Sequence, residues 1–281
     1  MKSSAVAPGA LCLLGRGQRG MHGLAIVASL LFAQPGLAQE NAGGGQSLDQ
    51  AANDPTASLM SVQISDWYGF NYHNLSGVDD NTVVLRSAIP FQTGSLNHIF
   101  RITVPFITDH PVLDTGLSDI TVFDLVTFDE SWGRWGVGAV ALLPTGGSDG
   151  GADQWALGPA FGFVARPAPG LLAGIFNQNL FHIGGNQALG QADVNISNIQ
   201  PILNYQLGGG WSVGTSEMNI IYDWDASEFT NLPLGISLSK LHKFGAQPVQ
   251  FNVQYEHDFY DDAPVAADTV RASVKFLFST K

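Results

Sequence analysis

The sequence has a single cysteine and no apolar run long enough to anchor its N-terminus in a membrane. Cys12 is the one cysteine among 281 residues. It falls within a predicted export signal, so the mature chain offers no disulfide, thiolate metal site or cysteine nucleophile. The apolar run from Leu24 to Phe32 is far shorter than the ~20 residues of a spanning helix. A cleaved secretory signal is therefore favoured over a membrane anchor.

The N-terminal residues have the three parts of a secretory signal. Lys2, Arg16 and Arg19 precede the apolar run, and Gly36-Leu37-Ala38 supplies small residues before a cleavage site. Residues 1–38 are predicted to be the signal peptide, with the mature chain starting near Gln39. Met21 is an alternative start, and it leaves a shorter signal with the same destination.

Cations are scarce throughout the chain. The sequence has 12 Lys and Arg against 24 Asp and Glu, and removal of the signal leaves nine cations and a formal charge of −15. Nucleic acid is excluded as a partner, because its binding relies on clustered Lys and Arg that neutralise phosphates.

Most of the mature chain consists of short segments in which apolar and polar residues alternate. In Pro248 to Phe259, Val249, Phe251 and Val253 alternate with polar residues, so one face is apolar and the other can meet water. A soluble β-sandwich alternates in the same way and remains an alternative on this pattern alone. Twelve such segments are predicted: Leu59 to Phe70, Asp80 to Phe91, Asn97 to Thr108, Leu117 to Phe128, Gly133 to Leu143, Asp153 to Val164, Gly170 to His182, Val194 to Gln206, Trp211 to Tyr222, Asn231 to Lys240, Pro248 to Phe259, and Asp268 to Phe278.

The connections between the segments alternate between long acidic and short ones. The long ones contain acids such as Asp79, Asp149 and Asp261, whereas the others are mostly short, with Leu241 to Gln247 a longer exception. An up-and-down barrel produces this alternation, since one rim has outer loops and the other has tight periplasmic turns. Aromatic residues near the segment ends fit the girdles of such a barrel: Trp67, Tyr68, Trp132, Trp135, Trp155, Tyr205, Trp211, Tyr222 and Trp224.

The predicted fold class is therefore all-β, a closed up-and-down transmembrane β-barrel of about 12 antiparallel strands. The barrel occupies residues 58–281. Residues 39–57 contain Gly43-Gly44-Gly45 and few apolar side chains, which predicts a flexible N-terminal leader. The predicted location is the outer membrane of a Gram-negative bacterium.

A series of short motifs gives the chain a family resemblance. In order they are Asp54-Pro-Thr-Ala-Ser-Leu-Met-Ser-Val62, Ala88-Ile-Pro-Phe91, Arg101-Ile-Thr-Val-Pro105, Gly116-Leu-Ser-Asp119, Trp135-Gly-Val-Gly138, Leu143-Pro-Thr145, Leu157-Gly-Pro159, Gln200-Pro-Ile-Leu-Asn-Tyr205, Gly210-Trp211 and Pro233-Leu-Gly235. Together they resemble outer-membrane proteins labelled for the meta-cleavage pathway of phenol degradation, some of which carry the misleading name neuromedin U. The resemblance implies an outer-membrane barrel with a proposed transport role and no established catalytic residues. Such barrels usually finish on an aromatic residue, whereas here Phe278 is followed by Ser279-Thr280-Lys281.

Functional residues are expected on the inward face, because lipid fixes the outward positions. If Phe100 and Ile102 face lipid, Arg101 points into the lumen. The same parity gives the predicted lumen-facing set: Arg101, Arg271, Lys275, Glu256, Asn252, Gln254, Asn198, Gln200 and Asn204. These cations predict a preference for anionic or neutral solutes if the pore conducts. Two alternatives stay open, a conducting lumen and one plugged by charge pairs. The small inward residues Ala156, Gly158, Ala160 and Gly162 fit either open space or close packing.

No enzyme motif is present. His182, His242 and His257 have no evident serine partner, and neither His-Glu-x-x-His nor Gly-x-Ser-x-Gly occurs. No enzyme activity, cofactor or resident metal is predicted. The predicted function is a channel or transporter for small molecules, with hydrophobic or aromatic ones suggested by the resemblance. The alternative is a structural or adhesive barrel that acts through its acidic outer loops. The expected partners are outer-membrane lipid, lipopolysaccharide, the barrel assembly machinery and a solute of unknown identity.

We expect the protein to fractionate with outer membranes and to migrate differently on gels before and after heating, because a closed barrel keeps its strands paired in detergent. Recovery of the protein in the soluble periplasm would contradict this prediction.

Overall fold

Side chains alternate between two faces around a closed ring of twelve antiparallel strands. The structure is a computed structural model that describes residues 41–42, 46–185, 192–262 and 265–278. The predicted signal peptide and Ser279–Lys281 lie outside the described residues. The barrel strands are β1 (Met60–Tyr72), β2 (Asp80–Thr93), β3 (Leu96–Asp109), β4 (Ile120–Glu130), β5 (Gly133–Leu143), β6 (Gln154–Ala168), β7 (Leu171–Gly185), β8 (Asn195–Gly208), β9 (Trp211–Thr215 and Ile220–Asp223), β10 (Glu228–Asn231 and Pro233–Phe244), β11 (Gln247–Asp258) and β12 (Ala266–Phe278). Smaller elements are a two-residue pair (Asn41–Ala42 with Gln46–Ser47), helix α1 (Leu48–Ala52), Gly116–Leu117 paired with β3, and a helical turn at Gly147–Gly150.

The sheet closes on itself, so the ring has no free edge. Each strand pairs antiparallel with the next, and β12 returns to β1, where Val274 lies opposite Ile64. β7 pairs with β8, where Gln178 lies opposite Asn198. Closure gives the strand backbones their hydrogen-bond partners within the ring. The predicted twelve-stranded up-and-down barrel is confirmed.

Outward and inward positions differ in the way that a bilayer requires. Ile64, Val137 and Leu234 point outward with 52%, 46% and 63% of their surface exposed. Gln63 and Ser239, on the inner face, are buried. Apolar surface on this scale is tolerated where lipid chains cover it. Among the described residues, no helix has the length and apolar character needed to cross a membrane.

The strands are joined by short turns at one rim, which we call the periplasmic rim. These turns are residues 94–95, 131–132, 169–170, 209–210 and 245–246. Gly94 and Gly245 have φ values of 61° and 63°, a left-handed conformation that suits glycine in a tight turn. The longer connections form the opposite rim, the outer rim. The predicted long connection from Leu241 to Gln247 is wrong, because β10 continues to Phe244.

Two other predicted segments differ from the strands observed. The segment Trp211 to Tyr222 is not continuous, since β9 stops after Thr215 and resumes at Ile220. The segment Leu117 to Phe128 is shifted, because Leu117 pairs separately with Phe106 and β4 begins at Ile120. Both irregularities fall where the apolar alternation of the sequence is weak.

Residues 46–57 lie inside the periplasmic end of the barrel, and we call them the inner segment. They include α1, whose Ala52 packs against Leu241 and Leu277. The Ala52 carbonyl accepts a hydrogen bond from Lys275 Nζ at 2.9 Å. The prediction of a flexible leader is therefore wrong for this part of the chain. Residues 39–40 and 43–45 lie outside the described residues.

One side of the lumen is filled by apolar side chains from β4 to β7. They form a buried cluster of Phe123, Leu125, Val140, Ala156, Ala160, Phe176 and Leu180. A Cβ atom added to Gly162 would lie 2.7 Å from Cδ2 of Phe176. The small residues of β6 therefore make room for large side chains of β7. Of the two roles that the sequence leaves open for these small residues, open space or close packing, this side of the lumen shows close packing.

Phe251→Arg and Asn252→Arg would place the same charge on opposite faces of β11. Phe251 packs beside Phe244 on the outward face, with ring centroids 6.3 Å apart, whereas Asn252 lines the lumen. We expect Phe251→Arg to lower the free energy of unfolding by about 2 to 4 kcal/mol, since a lipid-facing arginine loses its hydration, and Asn252→Arg to cost much less. Denaturant titrations in vesicles measure both values. Equal losses would contradict the assigned faces.

Candidate functional site in the barrel lumen

An ion pair crosses the lumen between opposite walls of the barrel. Arg86 of β2 donates from Nη1 to Oε2 of Glu217 at 2.7 Å, although four strands of the ring separate the two residues on the shorter way round. Glu217 lies in the interruption of β9, where its backbone N–H donates to Oε1 of Gln254 at 2.8 Å. The interruption of β9 therefore brings an acidic side chain into the lumen.

Glu217 is a functional candidate outside the set predicted from the sequence. Unbroken alternation would put Glu217 on the same outward face as Trp211 and Val213. A carboxylate in lipid loses its hydration, so a straight strand through this position is costly. The sequence signal for the inward turn is thus an acid at a position that alternation assigns to the lipid-facing side of a spanning segment.

A second ion pair holds two of the predicted lumen residues together. Arg271 donates from Nη1 and Nη2 to the two carboxylate oxygens of Glu256, and both side chains are buried. The Glu256 carboxylate also accepts from Ser216 Oγ at 3.0 Å. The guanidinium carbon of Arg271 lies 4.7 Å from the centre of the Trp67 ring. Trp67 therefore faces the lumen, and its predicted place in a lipid-facing girdle is wrong.

Arg101 and Lys275 have different surroundings. Lys275 is held by the Ala52 carbonyl of the inner segment. Arg101 lies over two aromatic rings, with its guanidinium carbon 4.7 Å from the centre of Phe123 and 5.9 Å from that of Phe176. Within the described residues the Arg101 side chain makes no hydrogen bond or ion pair, and its Nε is buried without a partner.

The predicted amide residues lie on the inner face and form two groups. On β11, Gln254 donates to Asn252 at 2.7 Å, and Asn252 donates to Ser239 at 2.7 Å. On β8, Asn198 and Gln200 both donate to Oδ1 of one residue in the β9 interruption, Asn219, at 3.1 and 2.6 Å. Asn204 lines the lumen nearer the periplasmic rim, and its Oδ1 is buried without a partner in the described residues.

These side chains surround a cavity of about 380 Å³. Arg86, Arg101, Lys275 and Glu217 line it together with the amides of β8 and β11, and the inner segment bounds it through Ala51 to Pro55. Of the predicted residues, Arg271 and Glu256 do not line the cavity, because they are engaged with each other. The lumen is therefore neither an open tube nor fully packed.

The inner segment is fixed to the barrel wall by a buried charge group. Arg134 of β5 donates to the Thr56 carbonyl at 3.0 Å and to Asp129 at 2.8 Å, and it lies 3.8 Å from the Asp54 carboxylate. Asn53 bonds to strands on the other side of the barrel. Its Nδ2 donates to Ser212 Oγ, and its Oδ1 accepts from Gln250 Nε2. Opposite walls of the barrel thus share contacts to this segment.

Several acids of the outer rim accept hydrogen bonds from neighbouring side chains or backbone groups. Tyr68 donates to Asp79 at 2.7 Å, and Tyr72 donates to Asp80 at 2.6 Å. Asp119 accepts from the backbone N–H groups of Gly146 and Ala152. Among the described residues, no three His, Cys, Asp or Glu side chains are arranged to hold a metal ion, and no histidine bonds to a serine or threonine hydroxyl. These hydrogen bonds order the loops, and the described residues show no hydroxyl bonded to a histidine base.

Several solved structures resemble this chain. No family model and no curated protein matches it. The COG4313 outer membrane channel from Pseudomonas putida F1 matches 80% of this chain and 98% of its own, with a TM-score of 0.58 and 14% identity. The KdgM porin matches 78% and 99%, with a TM-score of 0.50 and 8% identity. At such identities the likeness shows the fold, that of outer-membrane barrels, and the family suggested by the motifs stays a prediction.

Arg134→Met should release the inner segment. The substitution leaves Asp54 buried without its cation, which costs about 3 to 5 kcal/mol for a buried pair. We expect faster amide hydrogen exchange over residues 48–56 in the variant. Arg166→Met, the same change at the periplasmic end of β6, serves as the control. Unchanged exchange in Arg134→Met would show that the charge group does not hold the segment.

Proposed function

We propose that the protein is an outer-membrane channel that carries small molecules through its lumen and performs no catalysis. The observation that carries this proposal is the polar cavity enclosed by a closed barrel, lined by Arg86, Arg101 and Lys275 on one side. A lipid-exposed outer surface and a water-compatible interior are what a channel requires. The fold similarity to channels and porins supports it. Hydrophobic or aromatic solutes enter the proposal through the family resemblance.

The free charge of the lumen supports a preference for anions. Arg271 is neutralised by Glu256, and Arg86 is paired with Glu217, so neither pair leaves a net charge. Arg101 is left without an acid in contact among the described residues, and Lys275 bonds to a neutral carbonyl. Cations in a narrow, partly dry passage are screened less than the exposed acids of the outer rim. The lumen charge therefore dominates once a solute has entered.

A second candidate function is a structural or adhesive barrel that transports nothing. The specific observation in its favour is that the lumen is crossed by the Arg86–Glu217 pair and bounded by the inner segment. Single-channel recording in planar bilayers separates the two functions, because it reports an open path directly. Absence of any current from the unmodified protein and from Arg134→Met would favour the structural barrel.

The selectivity of the pore should depend on Arg101. We expect the unmodified protein to show a reversal potential that favours chloride over potassium, and Arg101→Glu to weaken or reverse it, because the substitution replaces a lumen cation by an anion. Lys240→Glu is the control, since Lys240 bonds to the Gly209 carbonyl at the periplasmic rim outside the cavity. Cation preference in the unmodified protein that Arg101→Glu leaves unchanged would show that Arg101 does not face the solute path.

A further inference from the structure

Three cations on neighbouring strands line one side of the cavity: Lys275 of β12, Arg86 of β2 and Arg101 of β3. We call these three residues the cation patch. Gln63 of β1 lies opposite Lys275 of β12 on one side and Arg86 of β2 on the other. Arg101 of β3 lies opposite Ala88, two residues along β2 from Arg86 and on the same face. Because adjacent strands are about 5 Å apart, these long side chains can reach a common point in the cavity.

The acids that line the cavity are already engaged. Glu217 bonds to Arg86. Asp54 accepts from Gln46 at 2.9 Å and from the Thr56 hydroxyl at 2.6 Å, and it faces Arg134. The Nε atoms of Arg86 and Arg101 are buried with no acceptor in the described residues. A buried guanidinium N–H without an acceptor is costly, so the patch can still bind an anion favourably.

Part of the cavity lining next to the cation patch is apolar, between the amides of Gln178, Asn198 and Gln200, and we call it the apolar side. Phe123, Leu180, Ile196 and Ile202 line it and belong to or pack against the buried cluster of the lumen. The volume of the whole cavity, about 380 Å³, falls at the small end of the range for pockets that hold small organic molecules. A bare inorganic anion would leave this apolar side without contact, whereas a purely apolar molecule would leave the guanidinium unpaired.

We propose that the cavity binds small organic carboxylates with an aromatic or apolar body. The carboxylate accepts from the guanidinium of Arg101, whose planar donors match two carboxylate oxygens, with Lys275 close by. The ring lies against Phe123 and Leu180. This proposal rests on the channel function and names the solute class that the lumen favours.

Calorimetric titration of the folded protein in detergent micelles tests the proposal, with benzoate, benzyl alcohol and inorganic phosphate as probes and protein-free micelles as the blank. We expect benzoate to bind at least about tenfold more tightly than either other probe, the effect of one charge-assisted hydrogen-bond pair. Arg101→Gln should abolish the preference for benzoate over benzyl alcohol, and Arg101→Lys should retain part of it. Lys240→Gln removes a cation outside the cavity and should bind like the unmodified protein. Heat-modifiable gel migration verifies that each variant is folded.

Three results would overturn the proposal. Equal affinity for benzoate and benzyl alcohol would show that the carboxylate charge does not contribute to binding. Phosphate binding as tightly as benzoate would show that the apolar side does not contribute. Full benzoate affinity in folded Arg101→Gln would place the site elsewhere. Bilayer recordings separate this inference from the channel function: benzoate binding without any current contradicts only transport, and current without benzoate binding contradicts only the carboxylate site.

Discussion

Hydrogen bonding of the backbone inside a bilayer is the constraint from which the rest of this structure follows. A strand that crosses lipid must find partners for its N–H and C=O groups within the protein, and the return of β12 to β1 completes this requirement for the ring. Once the sheet is closed, every second side chain faces lipid and the others face the lumen. Polar residues of the strands are thereby collected inside, where their charges must pair with one another or remain available to a solute.

The regular part of the fold could be predicted from the sequence because lipid leaves few choices. Gly133 to Leu143 was predicted residue for residue as β5, and the alternation around Phe251 and Asn252 placed each side chain on the face observed. The same alternation assigns Arg101 and Lys275 to the inner face, and both side chains line the cavity. Segment ends were less accurate, because several strands extend beyond the bilayer-spanning pattern into polar residues, as β10 does to Phe244.

The irregular part depends on contacts between residues far apart in sequence. The inner segment has few apolar residues, and its structure comes from Asp54 and Thr56 meeting Arg134, and from Asn53 meeting strands on the other wall. No local pattern encodes such partners. The inward turn at Glu217 is predictable only in part. The sequence shows an acid at a position that alternation assigns to the lipid-facing side, but it does not show that the partner is Arg86.

The contacts of Ala52 also bear on how the ring is assembled. β1 and β12 are the first and last strands of the barrel, so their pairing closes the largest loop in the chain and is the contact most opposed by chain entropy. Seven residues separate α1 from β1, yet Ala52 of α1 contacts Leu277 and Lys275 of β12. The segment that bounds the cavity therefore also connects the chain leading into β1 with the last strand of the ring. Withdrawing the segment from the lumen would remove contacts of β12, one of the two strands whose pairing joins the ends of the sheet.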